Sequence, residues 1–246
     1  MKLTKILTIW ISMLMIPTAL VAQKKVAVTT FYADKYIDFS ELGSAAGLAV
    51  AIGQLADDPK FNIEPILDKF HANFFNDYAK EFPFDLIPEK DVVENEQYAN
   101  YESKFGETKD EDRARLFQRY LTVDGYKPLI ETLVKNKNNN VIRMLEIFDS
   151  ADGVMFVSIS FKFVKTSPFT AGIQAYARIK LWNKEGKRVF VVNEFANSKK
   201  KVGMVGGIPT ASPDKILPMC ESAAEKLLAD LNKRLNKVAK KAAKKL

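Results

Sequence analysis

The stretch VMFVSISFKFVK, Val154 to Lys165, decides how the rest of the chain is to be read. Met155, Val157, Ile159, Phe161 and Phe163 alternate with Phe156, Ser158, Ser160 and Lys162. Period-two alternation over this length marks a strand with one buried face. Ile173 to Trp182 repeats the pattern, with Ile173, Ala175, Ala177, Ile179 and Leu181 opposite Gln174, Tyr176, Arg178 and Lys180. The turn Asn183-Lys184-Glu185-Gly186 then leads into a third strand, Arg188 to Ala196. Three successive strands with a tight second connection predict an antiparallel meander.

Before the meander the period changes. Lys24 to Phe31 is β-rich and makes a natural first strand. Ile63, Ile66, Leu67, Phe70, Phe74 and Tyr78 recur at threes and fours, a helical stripe closed by Pro83. Phe84 to Pro88 reads as a short strand between prolines, and Glu89 to Gly106 as polar surface. A capping box at Thr108-Lys109-Asp110-Glu111 predicts a helix with Leu116, Phe117, Tyr120 and Leu121 on its apolar side. Pro128 suits the first position of a short helix ending near Lys135, and Val141, Met144, Leu145 and Phe148 form a further stripe. At the far end Ile216, Met219, Ala223, Leu227, Leu231, Leu235 and Val238 line one side of a long helix. It starts either at Ser212-Pro213-Asp214 or at Pro218. The fold class expected is α/β (α+β), a mixed sheet with its meander in the second half, flanked by helices.

The ends carry the compartment. Lys2 and Lys5 precede an uncharged apolar run, Ile6 to Ile16, and a small residue stands at the expected cut, Ala22|Gln23. That is the pattern of a cleaved signal peptide, residues 1–22, and it predicts a periplasmic protein. The domains expected are this signal, an αβ envelope domain over 23–231, and a basic helical tail over 232–246. The 246 residues are 47% hydrophobic and 11% aromatic, enough for one sizeable core. Cys220, the only cysteine, reads as a small buried hydrophobe and excludes an intramolecular disulfide. The net charge of +7 is concentrated in the tail: Lys233, Arg234, Lys237, Lys240, Lys241, Lys244 and Lys245 account for all of it. Those residues suit contact with an anionic membrane surface or an acidic polymer, or a solvated helix end with cations on its dipole. Nucleic acid is not an expected partner.

The element order resembles that of bacterial envelope proteins related to the curli secretion lipoprotein and the N-terminal domain of TolB. The residues that carry the resemblance are KKVAVTTF (Lys24–Phe31), FDLIP (Phe84–Pro88), ADGVMFV (Ala151–Val157), LWNKEGKRVF (Leu181–Phe190) and AAEKLLADL (Ala223–Leu231). Ala151-Asp152 matches an alanine-aspartate pair that starts a strand, and Asn183 to Lys187 matches a turn. The similarity spans Lys24 to Leu235. It implies a mixed sheet flanked by helices and a non-catalytic binding or assembly module, oligomeric in several relatives and hairpin-inserting in one subset. Many relatives carry a lipid-bearing Cys that is missing here, so no lipid anchor is expected.

No catalytic motif stands out. His71, the single histidine, sits at the edge of the first helical stripe and reads as a boundary residue packed on aromatics. No Gly-x-Ser-x-Gly elbow accompanies it. Asp57-Asp58 and Asp110-Glu111-Asp112 are the available carboxylate groups, without the spacing of a calcium loop. Two glycine-rich segments, Leu42 to Ala56 and Val202 to Pro209, lack the Lys-Ser/Thr end of a phosphate loop. Their glycines, Gly43, Gly47 and Gly53 with Gly203, Gly206 and Gly207, are the expected interface positions, and the two segments are expected to lie near each other. The function expected is a non-enzymatic periplasmic binding or assembly module, without cofactor or metal, contacting an envelope protein or a second copy of itself. The alternatives are an envelope hydrolase using Asp or Glu, and an outer-membrane-inserted secretion component.

Overall fold

In the computed structural model, residues 23–42, 55, 58–104, 118–131 and 139–242 are described, without the side chains of 234 and 236–242. A mixed sheet runs through the molecule. Its strands are β1 (Lys25–Asp38), β2 (Asp85–Leu86), β3 (Tyr120–Thr122), β4 (Gly153–Ser167), β5 (Thr170–Asn183), β6 (Arg188–Val205) and β7 (Ile208–Pro209). The order is β2-β1-β4-β5-β6-β7, with β3 also on β1. β1 runs parallel to β4 and β2, and β4, β5 and β6 form the antiparallel meander expected from the alternation. The helices are α1 (Glu64–Asn73), α2 (Glu89–Val93), α3 (Glu96–Ala99), α4 (Asn140–Ile147) and α5 (Pro213–Ala242).

One face of the sheet is covered along its whole length. α5 lies across β5 and β6, its thirty residues reaching about 45 Å against strands of roughly 50 Å. Its buried side carries Ile216, Met219, Cys220, Ala223, Ala224, Leu227, Leu228, Leu231 and Leu235. The small residues at its centre share one continuous core with Ala175 and Ala177 of β5. The helix starts at Pro213, with the Ser212 carbonyl accepting from the Lys215 and Ile216 amides. Pro218 stands inside it, in the second turn. Burial pushes the Cys220 thiol well above its usual pKa, as befits a packed hydrophobe. α1 covers the β1 end. Phe70 and Phe74 close on Phe31 at ring distances of 5.1 and 5.5 Å. The α1 stripe continues as expected to Tyr78, through a π-turn at Phe74–Tyr78, and the Tyr78 hydroxyl donates to the Leu228 carbonyl at 2.8 Å.

The other face is covered at one end only. There Val154, Phe156 and Trp182 pack under α2, α3 and α4 with Val92, Tyr98, Leu129, Val141 and Met144. Phe156, expected on the polar side of its strand, is therefore core, and so is Tyr98 within a segment read as surface. Buried hydrogen bonds fasten this layer. Tyr98 donates to the Thr29 carbonyl and accepts from the Lys127 amide, and Thr30 donates to the Lys127 carbonyl. Asn140 fulfils four contacts at once: it accepts from the Tyr101 hydroxyl and the Lys104 amide and donates to the Lys104 and Ile130 carbonyls. An eight-residue α4 is about 12 Å long. It cannot roof strands four times that length, so no described helix covers the rest of this face.

Two expected helices differ in part: in the first, Gln118 and Arg119 are helical as expected, and the departure begins after them. Tyr120 and Leu121 belong to β3, where Tyr32↔Thr122, Ala33↔Leu121 and Asp34↔Tyr120 pair across the β1 edge. Unmet backbone groups on that edge outweigh the helical spacing of the side chains. Leu116, Phe117 and the capping box lie outside the described residues. Residues 127–131 are irregular, pinned by side-chain bonds from Thr30 and Asn140, and residues 132–138 lie outside the described residues.

Candidate functional site

The open half of the second face is a polar trough built by strand register. Tyr32, Ser158, Arg178 and Asn193 stand in one row across β1, β4, β5 and β6. Ser160 and Tyr176 form the next row with Phe195, and Asp38, Lys162, Gln174 and Asn197 the one beyond. β1 spends two extra residues between Ala33↔Ile159 and Ile37↔Phe161. This bulge lets both Asp34 and Tyr36 join the lining, and Asp34 fixes it by accepting the Tyr36 amide at 3.0 Å. Two adjoining cavities of about 370 and 530 Å³ make up the trough.

Its charges are placed by neighbours. Arg119, just before β3, grips Asp34 with both arms of its guanidinium, Nε to Oδ1 at 2.8 Å and Nη2 to Oδ2 at 2.5 Å. The same guanidinium lies 5.2 Å from the Tyr36 ring centre and 5.4 Å from that of Tyr120. The Asp34 hydrogen bond raises its pKa further, so the charge is permanent. Glu131, on the segment that Asn140 and Thr30 position, pairs with Lys180 and with Arg188. Lys162 meets Glu41 at 2.6 Å. Arg178 differs: exposed, it stacks 4.8 Å over the Tyr176 ring, and no carboxylate among the described residues is within ion-pair range. Burial first, then the neighbouring Tyr120, pushes the Tyr32 phenol up to about 12, so its hydroxyl stays a donor at physiological pH.

The residues singled out in the sequence lie elsewhere. His71 sits at the helix boundary against Phe31 and Phe75, its Nε2 2.5 Å from Glu89 Oε1. Asp58 accepts the Lys60 amide in a local turn; Asp57 and Asp110-Glu111-Asp112 lie outside the described residues. Val202 to Pro209, the second glycine-rich segment, is a hairpin: β6 turns at Gly206 and Gly207, with φ of +59° and +83°, into β7. Two successive positive φ values give the tight turn that suits a twisted strand pair. The Gly203 carbonyl accepts from Thr210, and an added Cβ on Gly207 would come within 4.0 Å of the Leu42 carbonyl. The hairpin thus stands beside the start of the Leu42 to Ala56 segment, whose Gly43, Gly47 and Gly53 lie outside the described residues. Phe169, Val205 and Ile208 are exposed at this end. In the tail, Lys233 is exposed 4.0 Å from Asp230, and Leu235 is buried, so core packing reaches past residue 231. Arg234, Lys237, Lys240 and Lys241 lie on the helix without described side chains, and Lys244 and Lys245 lie outside the described residues. Among the described residues no cluster of three His, Cys, Asp or Glu side chains could hold a metal, and no helix is long and apolar enough to cross a membrane.

No established family matches this sequence, and no curated protein does. The chain is similar to the hypothetical protein CT253 from Chlamydia trachomatis, at 10% identity over 89% of this chain and 98% of that one, with a TM-score of 0.33. A likeness that distant carries no functional argument. The trough residues escaped the sequence reading because no local motif contains them. Arg119 falls at the end of an expected helix, where the structure also has it, and Arg178 is one polar position in an alternating strand. The usable signal was the alternation itself, which puts Ser158, Ser160, Tyr176 and Arg178 on one face.

Proposed function

We propose that the chain is a non-enzymatic binding or assembly module of the bacterial envelope, acting from the periplasm, with the open trough as its working surface. The observation that carries this reading is Arg178, an exposed guanidinium stacked on Tyr176 with no carboxylate beside it among the described residues. It stands on a central strand, where the rigid sheet holds a side chain better than a loop would. The trough carboxylates favour positioning over proton transfer. Asp34 is held by Arg119, Glu131 by Lys180 and Arg188, and Asp38 accepts the Ser40 amide. Such tethered carboxylates support a binder over an Asp/Glu hydrolase.

The test is co-sedimentation of the purified protein with envelope fragments, comparing wild type with Arg178→Glu. Retention of the wild type and its loss in the variant, with unchanged melting, is the expected result. Equal retention of both proteins would overturn the assignment of the trough. The exposed Phe169, Val205 and Ile208 favour a second reading, seating of that end of the sheet on a lipid surface. Release of the native protein by detergent and not by high salt would put that reading first.

A further inference from the structure

The two cavities share Asp34, Arg119, Ser160 and Arg178, so the trough is a groove along the strands rather than a pit. Its shape suits an extended ligand. Its charges alternate: Arg119 beside Asp34, Lys180 beside Glu131, Lys162 beside Glu41. A densely charged polyanion would meet Asp34, Asp38 and Glu131 at close quarters and be repelled. A single acidic group would not, because Arg178, without a carboxylate partner among the described residues, offers it a planar fork of donors that matches a carboxylate or a phosphate.

The surroundings of Arg178 specify the rest of the ligand. Ser158 and Ser160 present hydroxyls, and the Tyr32 hydroxyl adds a donor. The rings of Tyr32, Tyr36 and Tyr176 are half-buried and held by Tyr120, Arg119 and Arg178 respectively, which fixes their orientation while leaving part of each accessible in the trough. Tyr32 and Ser158 already share a hydrogen bond, and a polyhydroxylated ligand adds partners for their remaining capacity and for Ser160 that an apolar one cannot. Aromatic faces carry negative charge density and receive the C–H edges of a sugar ring.

We propose, resting on the binding-module reading above, that the trough binds an acidic oligosaccharide. The acid group of one sugar sits on Arg178, its hydroxyls bond Ser158, Ser160 and Tyr32, and the neighbouring sugars run over the tyrosines. A uronic carboxylate and a sugar phosphate present the same recognition chemistry to Arg178.

Calorimetric titration of the full chain tests this with four probes: a hexasaccharide carrying a single uronic acid, the same hexasaccharide carrying a single phosphate in its place, the neutral hexasaccharide and an acidic hexapeptide. At least one acidic sugar is expected to bind, and whichever does identifies the source of the anion. Arg178→Gln should weaken that binding about tenfold to a hundredfold, the range for a lost charge-assisted bond. Arg178→Lys, which keeps the charge and loses the fork, should fall between. Both variants should melt with the wild type. Equal binding of the neutral sugar, tighter binding of the peptide, or an Arg178→Gln variant with wild-type affinity would each overturn the ligand assignment. If no sugar binds while envelope retention still depends on Arg178, the ligand class fails and the module reading stands. If retention ignores Arg178 as well, both fail.

Discussion

The two faces of the sheet are made from the same strands and end in opposite conditions. On one, α5 and α1 meet Phe31, Ile159, Phe161, Ala177 and Ile179 in a core closed to water. On the other, α2, α3 and α4 close one end, and Tyr32, Ser158, Arg178 and Lys162 remain accessible beyond it. The difference follows from reach. A helix rises about 1.5 Å per residue and a strand about 3.3 Å, so only a helix near twice the strand's residue count can cover it. α5 has thirty residues against fourteen in β5; α4 has eight. Stability should therefore reside on the covered face, and substitutions within the trough should act on binding.

Phe31→Ala strikes the covered face hardest. The ring is fully buried among Phe70, Phe74 and His71, and its removal should cost about 3–5 kcal/mol in denaturant unfolding. A loss below about 1 kcal/mol would mean that this aromatic cluster is not the core it is taken for. Asn140→Ala tests the layer that closes the other end. It breaks four hydrogen bonds and leaves half-buried partners unpaired, so about 1–3 kcal/mol is expected, together with greater exchange of the Lys104 amide. Unchanged stability would show that the apolar contacts of Tyr98, Met144 and Trp182 hold the layer unaided.

Alkaline unfolding tests the covered face in another way. Burial raises the Tyr78 phenol to about 12, and its neighbour Asp77 adds to the shift. A pKa raised on folding contributes stability that is complete below the unfolded value near 10 and is lost as pH climbs from there toward 12. The melting temperature should fall across that window, and less steeply in Tyr78→Phe; identical slopes would remove Tyr78 from the account. The smallest effect is expected at the hairpin. An alanine at Gly206 meets nothing within 4 Å, so only the backbone at φ +59° is strained. Gly206→Ala should cost about 1 kcal/mol and Gly206→Asn much less, because Asn tolerates the left-handed region. Equal costs for the two would point to packing instead of backbone conformation.

The covered face was legible because it is written locally. Met155, Val157, Ile159, Phe161 and Phe163 announce their strand by spacing, and Ile216 to Leu235 announce their helix. Phe156 and Tyr98 were misjudged for one shared reason: whether a second layer covers them depends on where α2, α3 and α4 dock, and no spacing within β4 reports that. Tyr120 shows a stronger override, since its helical spacing yields to the hydrogen-bonding edge of β1.

The sequence by itself determined the α/β class, the meander, the long C-terminal helix, the boundary histidine and the buried thiol. Each follows from periodicity or from the preference of one side chain for its surroundings. Tertiary structure alone decided the trough. Tyr32, Ser158 and Arg178 become neighbours through strand register, Asp34 and Arg119 meet across 85 residues of chain, and the helices of that face are too short to cover them. Register and the reach of a covering layer are properties of pairs of segments, and no window along one segment contains them.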